Sequence, residues 1–419
     1  MSTEYAHDIV PEHAASRPAG SIALIISSAV MGVPCIILGA SIGHDYGIAR
    51  ALMVIVLGCG ATAVLAAAAA YAGVRSRRSA ALLAKQTFGV RGSVVLNAAM
   101  AVALLGWFAV EMGFIGDMIA AGLKASFGVS IGRVPGTLLA GVVVCLITIR
   151  GIAVISRAPL VFLPLLVLLL SCVLFLTVRS LGATPLAMTP KALGSGVSAI
   201  IGSYIAGCLI MPDYSRFVRS GRAAMSATAL ALGPVYGLVL CTYALAAIAT
   251  GQTLPTGILD GLGLPAVIGF VLPIGLLQNG VMCLYSSSLA TSQLVPSAPV
   301  KTVAILLAVI GAGLAFSGAS AFFVSFLVVL GIVFPPALAL LICTGLDPSM
   351  RREGERTRPW SASRLITWSA GVASAISSEW LGFGLTGFSA IDGFIVAAAG
   401  GLLLVRIAAR QSERIVVEA

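Results

Sequence analysis

Charge is what this sequence has least of. Asp, Glu, Lys and Arg make up 10% of 419 residues, where a soluble domain carries about 25%. With 59% hydrophobic residues and a mean hydropathy of +1.07, that shortage excludes a water-soluble globule and puts nearly all of the chain in a bilayer. Histidine is scarce, and His7, His13 and His44 are scattered. The eight cysteines (Cys35, Cys59, Cys145, Cys172, Cys208, Cys241, Cys283 and Cys343) stand singly at no metal-ligand spacing. They read as free thiols packed as small apolar groups, so no metal or organic cofactor is expected. The short alternating segments of a membrane barrel are missing. No span holds paired catalytic carboxylates, and no glycine-rich nucleotide loop follows a strand, which argues against a membrane-embedded enzyme. Nothing resembles a repeated filter or a charged ring, which argues against a passive channel. The polar N-terminus lacks the pattern of a cleaved signal peptide.

What is present is a series of apolar runs of spanning length, about 20 residues each. They predict an all-α polytopic protein with twelve helices at about 21–43, 50–73, 93–122, 134–153, 157–178, 193–212, 223–250, 263–292, 299–317, 320–343, 364–383 and 390–408. The implied units are an N-terminal tail 1–20, a ten-helix core 21–343, a linker 344–363, two C-terminal helices 364–408 and a tail 409–419. Of the 25 Lys and Arg, twenty then fall on the side of the N-terminus and five on the other. The positive-inside rule places both termini in the cytoplasm of a multi-pass protein of the cell (inner) membrane. The net charge of +10 is thus a topology signal, and no nucleic-acid partner is expected. No obligate protein partner is evident. The loop "RSRRSAALLAKQTFGVRG" after the second span predicts a short helix lying in the membrane interface.

Two spans carry helix-weakening residues. The first contains "VMGVPCIILGASIG" with Gly32 and Pro34; the sixth contains "IIGSYIAGCLIMPDYSRF" with Gly202, Gly207 and Pro212. Interruptions at matching places of two five-helix sets point to an inverted-repeat transporter, whose unwound backbone offers N–H and C=O groups to a ligand and an ion. Gly32 and Val33 are the backbone candidates for a cation. A carboxylate, Glu111, stands in the middle of "LLGWFAVEMGFIGD", where a charge costs roughly 2.5–3.5 kcal/mol on insertion scales.

"ALLAKQTFGVRGS" followed by "GWF", "IIGSYIAGCLIMPDYSRFVRSGRAA" and "NGVMCLYSSSLATSQL" resemble the third, sixth and eighth helices of the nucleobase–cation symporter family, in its cytosine and purine–cytosine permease branch. The resemblance implies a LeuT-like core of five plus five inverted helices with two more helices. It implies uptake of a flat heterocycle, cytosine or a purine-like base, with H⁺ or Na⁺ by alternating access. A thiamine-precursor pyrimidine, a hydantoin or allantoin is the alternative cargo.

The same resemblance makes Trp107 a stacking platform for the ring. Glu111 follows by four residues and so shares a helix face with it; several family members have Gln there. A carboxylate only accepts hydrogen bonds when ionised, which suits a ring edge with adjacent N–H and amino donors. Glu111 is equally readable as a proton-coupling group or as a structural carboxyl. Cytosine permeases carry a Gln just before the Gly-Trp, where this chain has Leu104 and Leu105. Ser203 and Tyr204 occupy the family's Ser-aromatic position in helix six. Gln278 and Asn279 stand where sodium-dependent members have a Ser/Thr pair, a departure that favours H⁺; either amide can bond substrate. Asp213, Arg216 and Arg219 read as structural or gating groups at the end of helix six, outside the substrate site. His44 and Asp45 read as an interfacial polar pair.

Overall fold

The computed structural model describes residues 8–151, 157–181, 193–264, 272–318, 323–347 and 359–418, and among them the chain forms helices and no β-strand. The first helix, α1 (Gly20–Val30), stops at Met31 (φ −86°, ψ 6°); Gly32 is extended (φ −77°, ψ 166°), and α2 (Val33–Ser76) begins with Pro34 in its first turn. Proline suits that place because its missing N–H would have had no partner there. At 1.5 Å per residue, the 44 residues of α2 are about twice what a 30 Å hydrocarbon core needs. The helix changes course at Gly47 (φ 64°), a left-handed conformation that costs glycine nothing. This one element therefore contains the end of the first predicted span and all of the second.

Next come α3 (Ala80–Phe88), α4 (Gly92–Phe127), α5 (Val134–Ile149) and α6 (Ala158–Ser180). The second set repeats that order: α7 (Leu193–Leu209), a break at Ile210 (φ −86°, ψ 1°), α8 (Met211–Ser215), α9 (Gly221–Leu230) and α10 (Tyr236–Thr250) joined by a π-turn, then the short α11 (Pro255–Gly261), and α12 (Pro273–Leu294), α13 (Val300–Phe316) and α14 (Phe323–Leu346). Met31 and Ile210 have nearly the same dihedrals, and α3 and α11 hold matching places between the second and third helices of each set. The LeuT-like five-plus-five arrangement is thus visible in element order. Finally, α15 (Ala362–Trp380) and α16 (Ser389–Glu418) pair with each other and lean on α14.

Two details depart from the sequence reading. The interruption of helix six falls at Ile210, beside Pro212, while Gly202 and Gly207 lie inside α7. Neither glycine removes a backbone donor, so the helix runs through both. The helix after the second span exists, but it is not spread on an interface: Leu83, Ala84 and Phe88 are fully buried, and the Phe88 ring packs 5.5 Å from that of Trp368. Residues 348–358 of the predicted linker and 265–271 at the start of predicted helix eight lie outside the described residues.

The helices sort into two blocks. In one, α2 packs chiefly on α10 and α7; in the other, α4 packs chiefly on α12, with α5 and α13 beside it. Within the first block the approach is backbone to backbone. A Cβ on Gly39 would lie 2.7 Å from the Leu240 carbonyl oxygen, and one on Gly43 would overlap the backbone of Ala244. The outer surface is apolar: Val64, Val102, Leu168 and Val309 are each 65–70% exposed. So much apolar surface is stable only against lipid. The chain is a multi-pass membrane protein, with six helices long and apolar enough to cross a bilayer and four shorter apolar ones.

Candidate functional site

A hollow of about 40 Å³ lies where the blocks meet, room for about three waters. Its walls come from four places: Ala29, Pro34 and Cys35 at the break between α1 and α2; Leu104 and Trp107 on α4; Ser203, Tyr204, Ala206, Gly207 and Ile210 on α7 and its break; Asn279, Met282 and Cys283 on α12. Helices one, three, six and eight of the predicted set therefore surround it.

Each polar wall residue is held by its own neighbours. The Trp107 indole meets Phe326 of α14 edge-on, with centroids 5.8 Å apart. The Ser203 hydroxyl donates to the Ile200 carbonyl at 2.8 Å and lies 2.8 Å from the Tyr236 hydroxyl. Its proton is thus spent within the protein, and its free capacity towards the hollow is as an acceptor. Tyr204 folds its ring over Gly207, where a Cβ would come within 2.5 Å of it. The Tyr204 hydroxyl is buried with no hydrogen-bond partner.

Glu111 is fully buried near the middle of α4. It does not line the hollow; it sits behind Asn279, whose Nδ2 donates to Glu111 Oε1. Oε2 has no partner, and a Cβ added to Gly280 would meet it at 3.6 Å, among Met112 and Val144. One charge-assisted bond returns about 1.5–3 kcal/mol, roughly the cost of placing the carboxylate at this depth. The second oxygen is left uncompensated, so the residue adds little to stability by being there. Among the described residues, the two ion pairs, His44–Asp45 and Asp117–Arg133, do not involve Glu111.

Of the residues singled out in the sequence, Trp107, Ser203, Tyr204 and Asn279 come together around the hollow, and Glu111 reaches it through Asn279. Gln278, Gly32 and Val33 are buried but not among its walls; both amide atoms of Gln278 lack partners. Asp213 lies elsewhere, accepting from the Ala80 N–H at 2.8 Å as α3 begins. His44 and Asp45 pair at 3.3 Å on the partly exposed side of α2. Sequence reasoning missed Cys35, Cys283, Met282 and Leu104. Helical spacing holds the signal for three of them: Met282 and Cys283 follow Asn279 by three and four residues, and Leu104 precedes Trp107 by three.

Comparison with known proteins agrees with this geometry. Residues 9–345 match the model of a family described as permease for cytosine/purines, uracil, thiamine, allantoin. The cytosine permeases of Escherichia coli O157:H7 and of strain K12 are each 24% identical over 327 residues, 74% of this chain and 74% of theirs. Among solved structures, Mhp1, a nucleobase-cation-symport-1 family transporter, closed with bromovinylhydantoin bound, superposes with a TM-score of 0.83 at 17% identity, over 96% of this chain and 95% of that one. Inward-facing Mhp1 gives 0.75 at 16% identity, over 94% and 91%. With four-fifths of its length matched from residue 9 to residue 345, the chain belongs to the family of permeases for cytosine/purines, uracil, thiamine and allantoin.

Proposed function

We propose that the protein imports a nucleobase, cytosine or a purine-like base, by symport with a cation, and that the hollow between the two helix blocks is where the base binds. The observation that carries this is the convergence of two aromatic side chains, Trp107 and Tyr204, with the polar Ser203 and Asn279, beside the break in the first helix. An indole face is a platform for any heterocycle, and the acceptor oxygens of Ser203 and Asn279 suit a ring edge bearing N–H or amino donors. A nucleobase is larger than three waters, so a wall must move to admit it. Tyr204 is the side chain placed to do so, with no hydrogen bond to break. Relative motion of the α2–α7–α10 block and the α4–α5–α12–α13 block would open the hollow to either side. Gln278 would serve from the second layer, and Gly32 and Val33 would offer carbonyls to a cation. The amide pair in place of a Ser/Thr pair supports H⁺ over Na⁺. The 20-to-5 division of basic residues supports a cell-membrane protein with both termini in the cytoplasm and the two C-terminal helices as an appendage to a ten-helix core. A hydantoin is the second reading, favoured by the ligand of the closed Mhp1 structure.

Proteoliposomes test this. Labelled cytosine or adenine is expected to accumulate inside above its outer concentration when a pH gradient, or a Na⁺ gradient, is imposed. Uptake that only equilibrates the label, whatever the gradient, rules symport out.

A further inference from the structure

Resting on that reading of the hollow, we propose that Glu111 is a positioning residue which never touches the substrate: it sets which end of the Asn279 amide faces the ring, and its protonation turns that amide over. In the structure Nδ2 of Asn279 is engaged by Glu111 Oε1. Asn279 is the member of the pair that lines the hollow. Its Oδ1 is therefore the end available to a ligand, and the hollow presents an acceptor.

Protonation of Glu111 by solvent forms one O–H bond on the carboxylate and gives it a donor. At Oε2 that donor has no acceptor, since the surroundings are Gly280, Met112 and Val144. A buried unpaired donor is costly, and the acceptor within reach is Asn279 Oδ1. Engaging it rotates the amide so that Nδ2 faces the ring. A donor then meets the donor edge of an aminopyrimidine, and the ring is released. Proton uptake and ring release become linked events at one amide, with Ser203 and Tyr204 unchanged.

Few groups compete for control of Glu111. The thiols of Cys35 on α2 and Cys283 on α12 sense its charge. On α5 the titratable side chain is Cys145, which does not sense it. On α13 it is Lys301, exposed at the helix start, ten residues from the Gly311 that abuts Phe108 of α4, or about 15 Å along the axis.

The test is cytosine binding to purified full-length protein from pH 5 to pH 9, by calorimetry or thermal shift. The parent protein should bind cytosine at least about tenfold more weakly at the acid end. Glu111→Gln should bind with a flat pH profile, because a carboxamide can satisfy either amide orientation. Asn279→Ala, which keeps the carboxyl, should also flatten the profile. A pH dependence that survives in Asn279→Ala means that Glu111 acts on the ring directly, and overturns the proposal; so does a profile unchanged in Glu111→Gln. Should both variants fail to fold, infrared difference spectra of the parent protein decide. Cytosine should convert a protonated carboxyl band into a carboxylate band at acid pH, and no such change refutes the idea. Trp107→Ala separates the two readings. If it abolishes binding while the pH profiles contradict the amide switch, the hollow stands and the switch falls. If the parent binds no heterocycle, or Trp107→Ala binds as the parent does, both fall.

Discussion

Trp107→Ala is expected to weaken heterocycle binding by about 5- to 150-fold. The range is the free energy of stacking one base on an aromatic side chain, about 1–3 kcal/mol by alanine substitution, converted at about 1.4 kcal/mol per factor of ten. The substitution has a second consequence. Trp107 is buried and packs against Phe326, and emptying a core site of that size costs about 3–5 kcal/mol of stability in well-packed proteins. Affinity must therefore be measured where the variant is still folded, by titration well below its melting temperature. Trp107→Phe keeps a π-face with less area, so it should recover part of the affinity. If Trp107→Ala melts earlier but binds like the parent, the indole is only a packing residue.

Gly43→Leu is expected to abolish folded, monodisperse protein. Gly39 and Gly43 are four residues apart on one face of α2, and opposite them stand Leu240 and Ala244, four apart on α10. Small residues at this spacing let membrane helices touch backbone to backbone, which is where much of their association energy arises. A side chain at Gly43 would have to displace the Ala244 backbone itself. Backbone cannot swing away as a flexible side chain can, so the cost should exceed the about 1–3 kcal/mol of ordinary overpacking. Gly60→Leu is the internal control: it lies on the same helix with no atom within 4 Å of a built Cβ, facing outward. Size-exclusion profiles in detergent should show loss of the folded peak for Gly43→Leu and no change for Gly60→Leu. Equal behaviour of the two variants would mean that the contact between α2 and α10 does not hold the block together.

How much of this was legible in the sequence depended on the kind of signal. Apolar run length located the helices well, because the bilayer fixes the length a span must have. The break at Gly32 was legible because Pro34 cannot take part in a helix continuing from α1. The break in helix six was placed too broadly. Gly202 and Gly207 look like the same signal, but Gly207 instead makes room for the Tyr204 ring, a tertiary use that sequence does not distinguish. The helix α3 was expected in the membrane interface, since a basic, partly apolar segment reads the same whether lipid or protein covers it. Its burial depends on α14 and α15, far along the chain.

The site was legible in outline and not in detail. Four residues on one helix turn through about 400°, leaving Glu111 some 40° away from Trp107. That offset is enough for Asn279 to stand between the carboxylate and the hollow. A contact between residues 111 and 279 is a matter of helix packing, and no local pattern announces it. Cys35 and Cys283 read as apolar filler from composition, and they are indeed buried; only the convergence of α2 and α12 turns them into walls of the hollow.

The most direct measurement is a structure of the purified protein with cytosine or the best-binding related ring. The predicted result is a flat ring in the enlarged hollow, stacked on Trp107, with Tyr204 swung off Gly207 and the ring edge within hydrogen-bond distance of Asn279. A ring bound elsewhere, with Trp107 and Tyr204 left as they stand beside a hollow still the size of three waters, would contradict the account.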